Sequence, residues 1–222
     1  MKILPFILSF CILSSSFGYS EQQTPIEKNK TNTKIDQKMR QQIKKYRDLH
    51  LMLRKLWADH VIWTRQFIIA SVANTPDTEA ATERLLKNQE DLGNVLISYY
   101  GKETADSLTA LLKEHIRLTI QMVQAAIAHQ SDALKKANMK GNENAEKIAN
   151  FLNNANPKFE KKDFLYLLKK HLDLTSEELN HRMDKNWKED VNTFDRILDQ
   201  ALSIADALYI GILKQFAFAQ KK

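Results

Sequence analysis

Three histidines recur in one local context. "LLKEHIRLT" carries His115, "LLKKHLDLT" carries His171, and "LRKLWADHVIWT" carries His60 more loosely, at nearly equal intervals along the chain. Each interrupts an apolar helical stripe, because positions three, four and seven apart share one helix face. The stripes read Leu53, Trp57, His60, Thr64, Phe67, then Leu108, Leu112, His115, Thr119, Met122, then Phe164, Leu168, His171, Thr175, Glu178. Two chemistries fit. A neutral imidazole is tolerated in a core if a hydroxyl, an amide or a backbone carbonyl satisfies it. Imidazoles gathered with a carboxylate instead make a site for Zn²⁺ or another divalent transition metal. On that reading the ligands are His60, His115 and His171, with Asp206 the nearest carboxylate and Thr64, Thr119 and Thr175 orienting the rings.

A second candidate site is aromatic. Trp63, Tyr99 and Tyr100 can line a small-ligand pocket in which Arg65 contacts an anion, although large aromatics at helical spacing also serve as core. His50, His129 and His181 fall outside the repeat and read as surface residues. The chain has no Gly-x-Ser-x-Gly elbow, no His-Glu-x-x-His and no glycine-rich phosphate loop. Glu-x-x-His occurs once, at Glu178 and His181, so the paired pattern of helical di-iron sites is not met. A repeated histidine could act as a general base, but no nucleophile is paired with it. A non-catalytic binding protein fits these residues best, and a structural module docking on an envelope protein is the alternative.

The elements that must position these residues are helices. Past residue 34 only Gly93, Gly101, Gly141, Gly211, Pro76 and Pro157 are breakers, amid abundant Leu, Ala, Lys, Gln and Glu. "ANTPDTEA" predicts a stop near Asn74 and a start at Thr78, "YYGKETAD" a stop at Gly101, "HQSDAL" a start capped by Ser131, and "NNANPKFEKKD" a loop. "NQEDLGN", "NAEKIAN" and "QALSIAD" follow the three histidines at a nearly constant offset and share their period. They present Asn88, Asn144 and Gln200 beside the apolar positions Leu92, Ile148 and Ile204. Two landmarks with one period predict an all-α, compact bundle of about six helices in three related hairpins, spanning residues 34–220.

The first twenty residues have one lysine, an apolar run from Ile3 to Leu13, and then small and polar residues ending Gly18-Tyr19-Ser20. That order reads as a signal peptide, too short in its apolar run to span a bilayer, with cleavage after Ser20. Cys11 raises a lipoprotein as the competing reading, which the bulky Phe10 before it disfavours. Residues 21–33 read as a flexible leader. Removing residues 1–20 takes Lys2 from the 33 basic residues, leaves all 27 acidic ones and removes the single cysteine. Disulfides, thiolate metal sites and cysteine nucleophiles are then excluded. The modest basic excess, spread along the helices, suits anionic envelope surfaces rather than nucleic acid. The expectation is a periplasmic or secreted protein with no transmembrane segment, whose partners are a metal or small ligand and an envelope protein.

Taken as a set, "LWADHVIWTR", "LLKNQEDLGNVLISYYG", "LLKEH", "NAEKIANFLNNANP", "LLKKHLDLT" and "ALSIADAL…GILKQF" resemble a family of uncharacterised bacterial all-helical proteins. The resemblance covers most of residues 50–216. It implies a helical domain in its own right and supplies no activity or site residue.

Overall fold

The computed structural model describes residues 30–217 and forms five helices there. They are α1 (Lys30–Ala73), α2 (Thr78–Ile127), α3 (Ser131–Ala155), α4 (Lys161–Met183) and α5 (Trp187–Phe216). The signal peptide expected over residues 1–20, and all but the end of the leader expected over residues 21–33, lie outside the described residues. The bundle is the unit Arg40–Lys222. No helix among the described residues is long and apolar enough to cross a membrane.

The helix ends follow local chemistry. Asn74 takes a left-handed conformation (φ 53°), which asparagine tolerates, and the Thr75 N–H reaches back to the Ala70 carbonyl at 3.0 Å. His129 and Lys185 close α2 and α4 with the same backbone sign. No breaker marks the Lys185 turn in the sequence. The Asn156 side chain closes α3: its Nδ2 donates to the Tyr100 hydroxyl and the Gly211 carbonyl, both at 3.0 Å.

Gly101 stops a helical run, as "YYGKETAD" predicts. α2 is one span, Thr78–Ile127, but Gly101 leaves the helical region (φ 78°, ψ 167°) and divides it into two helical limbs. That conformation suits a residue without Cβ. The two limbs of α2 then fold back on each other. Lys113 Nζ lies 2.5 Å from Glu90 Oε1, across 23 residues that a straight helix would stretch to about 34 Å. A Cβ added at Gly93 would come within 3.1 Å of the Ala105 carbonyl, so the limbs meet at van der Waals distance. The described residues therefore form five helical spans where about six helices were expected, because a single residue makes the turn and no loop separates the two limbs of α2.

Two apolar clusters form the core. The larger runs from Tyr46 to Ile212 and contains Leu53, Trp57, Leu108, Leu112, Phe164 and Leu168; the smaller is built on Phe67, Ile68, Leu85, Ile116, Val123 and Leu179. A polar layer carrying the three histidines lies between them.

Candidate metal centre

His60 on α1, His115 on the second limb of α2 and His171 on α4 meet in the interior. One ring nitrogen from each lies within 4.8 Å of the others. Ring centroids are 6.1 Å apart for His60 and His115, 6.0 Å for His115 and His171, and 5.3 Å for His60 and His171. The three interplanar angles are 40°, 45° and 40°, so the rings surround one axis nearly evenly. His60 and His171 are buried, and His115 is partly buried and lines an open groove.

The surrounding backbone repeats around that axis. Asn88 Nδ2 donates to the Leu56 carbonyl at 3.0 Å, Asn144 Nδ2 to Leu111 at 3.2 Å and Gln200 Nε2 to Leu167 at 2.7 Å. Each acceptor is four residues before a histidine. Thr64, Thr119 and Thr175 donate to the carbonyls of His60, His115 and His171 at 2.8, 3.1 and 2.8 Å. The threonine hydroxyls are thus turned to their own helices and not to the rings, as a mid-helix threonine does when its i−4 carbonyl is in reach.

Two of the rings, those of His60 and His171, are held by glutamines instead. His171 Nδ1 donates to Gln200 Oε1 at 3.1 Å, which leaves its Nε2 as a lone pair. His60 Nδ1 faces the Gln89 amide nitrogen at 3.2 Å, and His60 Nε2 faces His171 Nε2 at 3.3 Å. Two ring nitrogens at that distance need a proton or a cation between them. Sequence reasoning missed Gln89 because Asn88 beside it fitted the repeat alignment. The signal was a common offset, which links His60 to Gln89, His115 to Asn144 and His171 to Gln200. Two buried acceptors at this offset, Gln89 Oε1 and Asn144 Oδ1, have no hydrogen-bond partner among the described residues.

Burial keeps the trio uncharged. Desolvation, followed by repulsion from His171 and His115, holds His60 well below the ordinary histidine range. Desolvation and then His171 lower His115 to about 3, and desolvation lowers His171 to about 4 against the opposing Gln200 hydrogen bond. Lone pairs are therefore available at neutral pH, as metal binding requires. Bonds of about 2.0–2.1 Å to one ion put ligand nitrogens roughly 3.3–3.6 Å apart, so the 60–171 pair is already spaced for it.

On one side of the ring layer lies a narrow apolar cavity of about 20 Å³. Its walls are Leu53, Leu108 and Phe164, Trp57, Leu112 and Leu168, Leu92, Ile148 and Ile204, and Leu96, Leu152 and Leu208. Within each trio the spacing again follows the histidine period. The other approach is the groove at His115, about 460 Å³, whose walls include Met122, Asp173, Ser176, Glu177, His181 and Asp184.

Other expected site residues go elsewhere. Asp206 does not face the trio: it accepts from Arg54 at 2.6 Å and from His50 at 2.7 Å. Burial raises its pKa, but these two hydrogen bonds outweigh that and hold it below the carboxylate range. His50, expected on the surface, is only part-exposed and stacks on Tyr209 with centroids 4.3 Å apart. Trp63, Arg65, Tyr99 and Tyr100 do not share a pocket. Trp63 lies under Arg84 beside a shallow surface groove. Tyr99 and Tyr100 pack on Phe216, and Tyr100 also on Phe159. Arg65 is fixed by buried Glu178 and Asp190: it bonds Glu178 and grips both Asp190 oxygens at 2.8 and 2.9 Å. Arg182 adds a contact to Asp190 at 3.3 Å. Burial raises Glu178 to about 7 despite Arg65.

The fold and site define a helical bundle with a buried tri-histidine centre. The chain matches no protein-family model, and neither the curated proteins nor the solved structures give a match.

Proposed function

We propose that this chain is a non-catalytic binding protein that holds one transition-metal ion between His60, His115 and His171. The observation carrying the reading is three neutral imidazoles with ligand atoms within 4.8 Å in the core. Gln89 keeps its amide nitrogen toward His60 Nδ1, the Leu85 carbonyl and Asn88 Oδ1. His171 already has the arrangement of a ligand, with Nδ1–H given to Gln200 Oε1 and Nε2 left free. Asn144 Oδ1 stands at the corresponding offset for His115. In this reading the fold is three related helical hairpins, α1 with the first limb of α2, the second limb with α3, and α4 with α5, each contributing one ring. The protein acts outside the cytoplasm, periplasmic or secreted, which the order of residues 1–20 supports.

The second reading is a structural polar core, and one observation favours it. Protons can be placed so that Gln89 donates to His60 Nδ1, His60 Nε2–H to His171 Nε2, and His171 Nδ1–H to Gln200 Oε1, with no ion. Thermal melting of the apo protein with Zn²⁺, Cu²⁺, Mn²⁺ and, without oxygen, Cu⁺, beside a His115→Ala variant, separates the two. A metal-dependent rise in Tm that the variant loses supports the site. Melting curves unmoved by all four ions overturn it.

A further inference from the structure

We infer that the ion this centre prefers is monovalent copper, bound three-coordinate by His60, His115 and His171. The inference rests on the metal reading above and identifies the ion.

Charge is the first ground. The three donors are neutral, and the groups behind them are amides, Gln200 on His171 and Gln89 on His60. Histidine ligands of divalent ions are commonly backed by carboxylates, which return negative charge to the site. Here the buried carboxylates are committed elsewhere, Glu178 and Asp190 to Arg65 and Arg182. An ion in the trio keeps its full charge beside an apolar core, with the polar groove reaching only the His115 ring. Solvation self-energy scales with the square of charge, so a dication loses about four times what a monocation loses on burial.

Coordination number is the second ground. A zinc ion on three histidines completes its tetrahedron with a fourth ligand, commonly water. A metal-bound water is a strong donor and needs acceptors. The cavity beside the ring layer is walled by leucine, isoleucine, phenylalanine and one tryptophan. Its single polar atom, Trp57 Nε1, is itself a donor without a partner among the described residues. The groove on the other side reaches His115 but neither His60 nor His171. Cu²⁺ is disfavoured by shape, since it takes square or tetragonal sites and the rings stand at 40–45° around one axis. A d¹⁰ monocation accepts three imidazoles in a trigonal array without a further ligand.

The test titrates anaerobic apo protein with Cu⁺, kept reduced by ascorbate, and separately with Zn²⁺, each against a chromophoric chelator of known affinity. The expected result is one Cu⁺ per chain, bound about 100-fold or more tighter than Zn²⁺, with three nitrogen scatterers in X-ray absorption. Gln89→Glu, which puts a carboxylate behind His60, should narrow that ratio by about tenfold by strengthening Zn²⁺. Asp206→Asn, away from the trio, should leave the ratio unchanged. Zn²⁺ binding as tightly as Cu⁺ in the unaltered chain overturns the choice of ion and leaves the tri-histidine site standing. Binding of neither ion removes the site and this inference together.

Discussion

Two buried polar regions lie a turn or two apart and solve the same problem in opposite ways. The histidine layer is neutral and nearly threefold, with every ring held by helix positions that recur at one common period. Seven residues further along the three stripes stand Phe67, Met122 and Glu178. There the symmetry ends. Glu178 meets Arg65, Asp190 and Arg182 in a one-sided network of opposite charges joining α1, α4 and α5. In the network every charge has an opposite within reach, so nothing is left for a ligand to do. In the histidine layer two nitrogens face each other at 3.3 Å and two acceptors lack donors. Incomplete satisfaction, not burial or polarity alone, marks the layer that can take a guest.

The contrast breaks most severely at the network. Asp190→Ala leaves Arg65 and Arg182 without their shared anion, and removing one partner of a buried pair costs about 3–5 kcal/mol. Denaturant unfolding should show that loss, with metal response retained if the variant folds. His60→Ala should cost about 2–4 kcal/mol in the apo state, through a cavity and unpaired partners at Gln89 and His171. The same variant should abolish the metal-induced rise in Tm, which Asp190→Ala should not.

Acid separates the two regions by sign. The imidazoles have lowered pKa values in the fold, while the unfolded chain takes up protons near about pH 6.5. Their contribution is complete above that pH and is lost as pH falls toward 4, at up to about 1.4 kcal/mol per pH unit for each ring. Glu178, raised to about 7, acts oppositely: the folded state binds its proton first, so its term gains stability as pH falls from about 7 toward its ordinary range. Chemical denaturation from pH 7.5 to 4.5 should show a net loss, and Glu178→Gln should steepen it. An acid slope unchanged by Glu178→Gln would contradict the opposing signs.

Gly101→Ala should cost roughly 1–2 kcal/mol, since φ 78° is strained for alanine while nothing lies within 4 Å of the added Cβ. Its cost therefore isolates the backbone turn that brings His115 to the axis. Asp206→Asn is the smallest case. The pair with Arg54 and His50 is part-exposed and worth about 0–1 kcal/mol, with no effect on metal response.

By itself the sequence determined the helical class, the ends of α1 and α3, the stripe on which each histidine sits and the common period. These follow from local rules: breaker scarcity, left-handed tolerance at Asn74, the proline-bearing loop at Pro157 and side-chain periodicity along one helix. Tertiary structure alone decided which groups from different helices meet. Asp206 turned to Arg54 and His50 because a part-exposed carboxylate at that position meets their hydrogen-bond donors and not the buried rings. Arg65, which sequence spacing grouped with Trp63, Tyr99 and Tyr100, was drawn inward to Glu178 and Asp190, the latter 125 residues away. Gln89 rather than Asn88 reached His60, a choice made by one residue of helix rotation. A period fixes which positions are equivalent within each helix. The rotation and approach of neighbouring helices, set by close packing of the whole core, fix which of their atoms come within bonding distance.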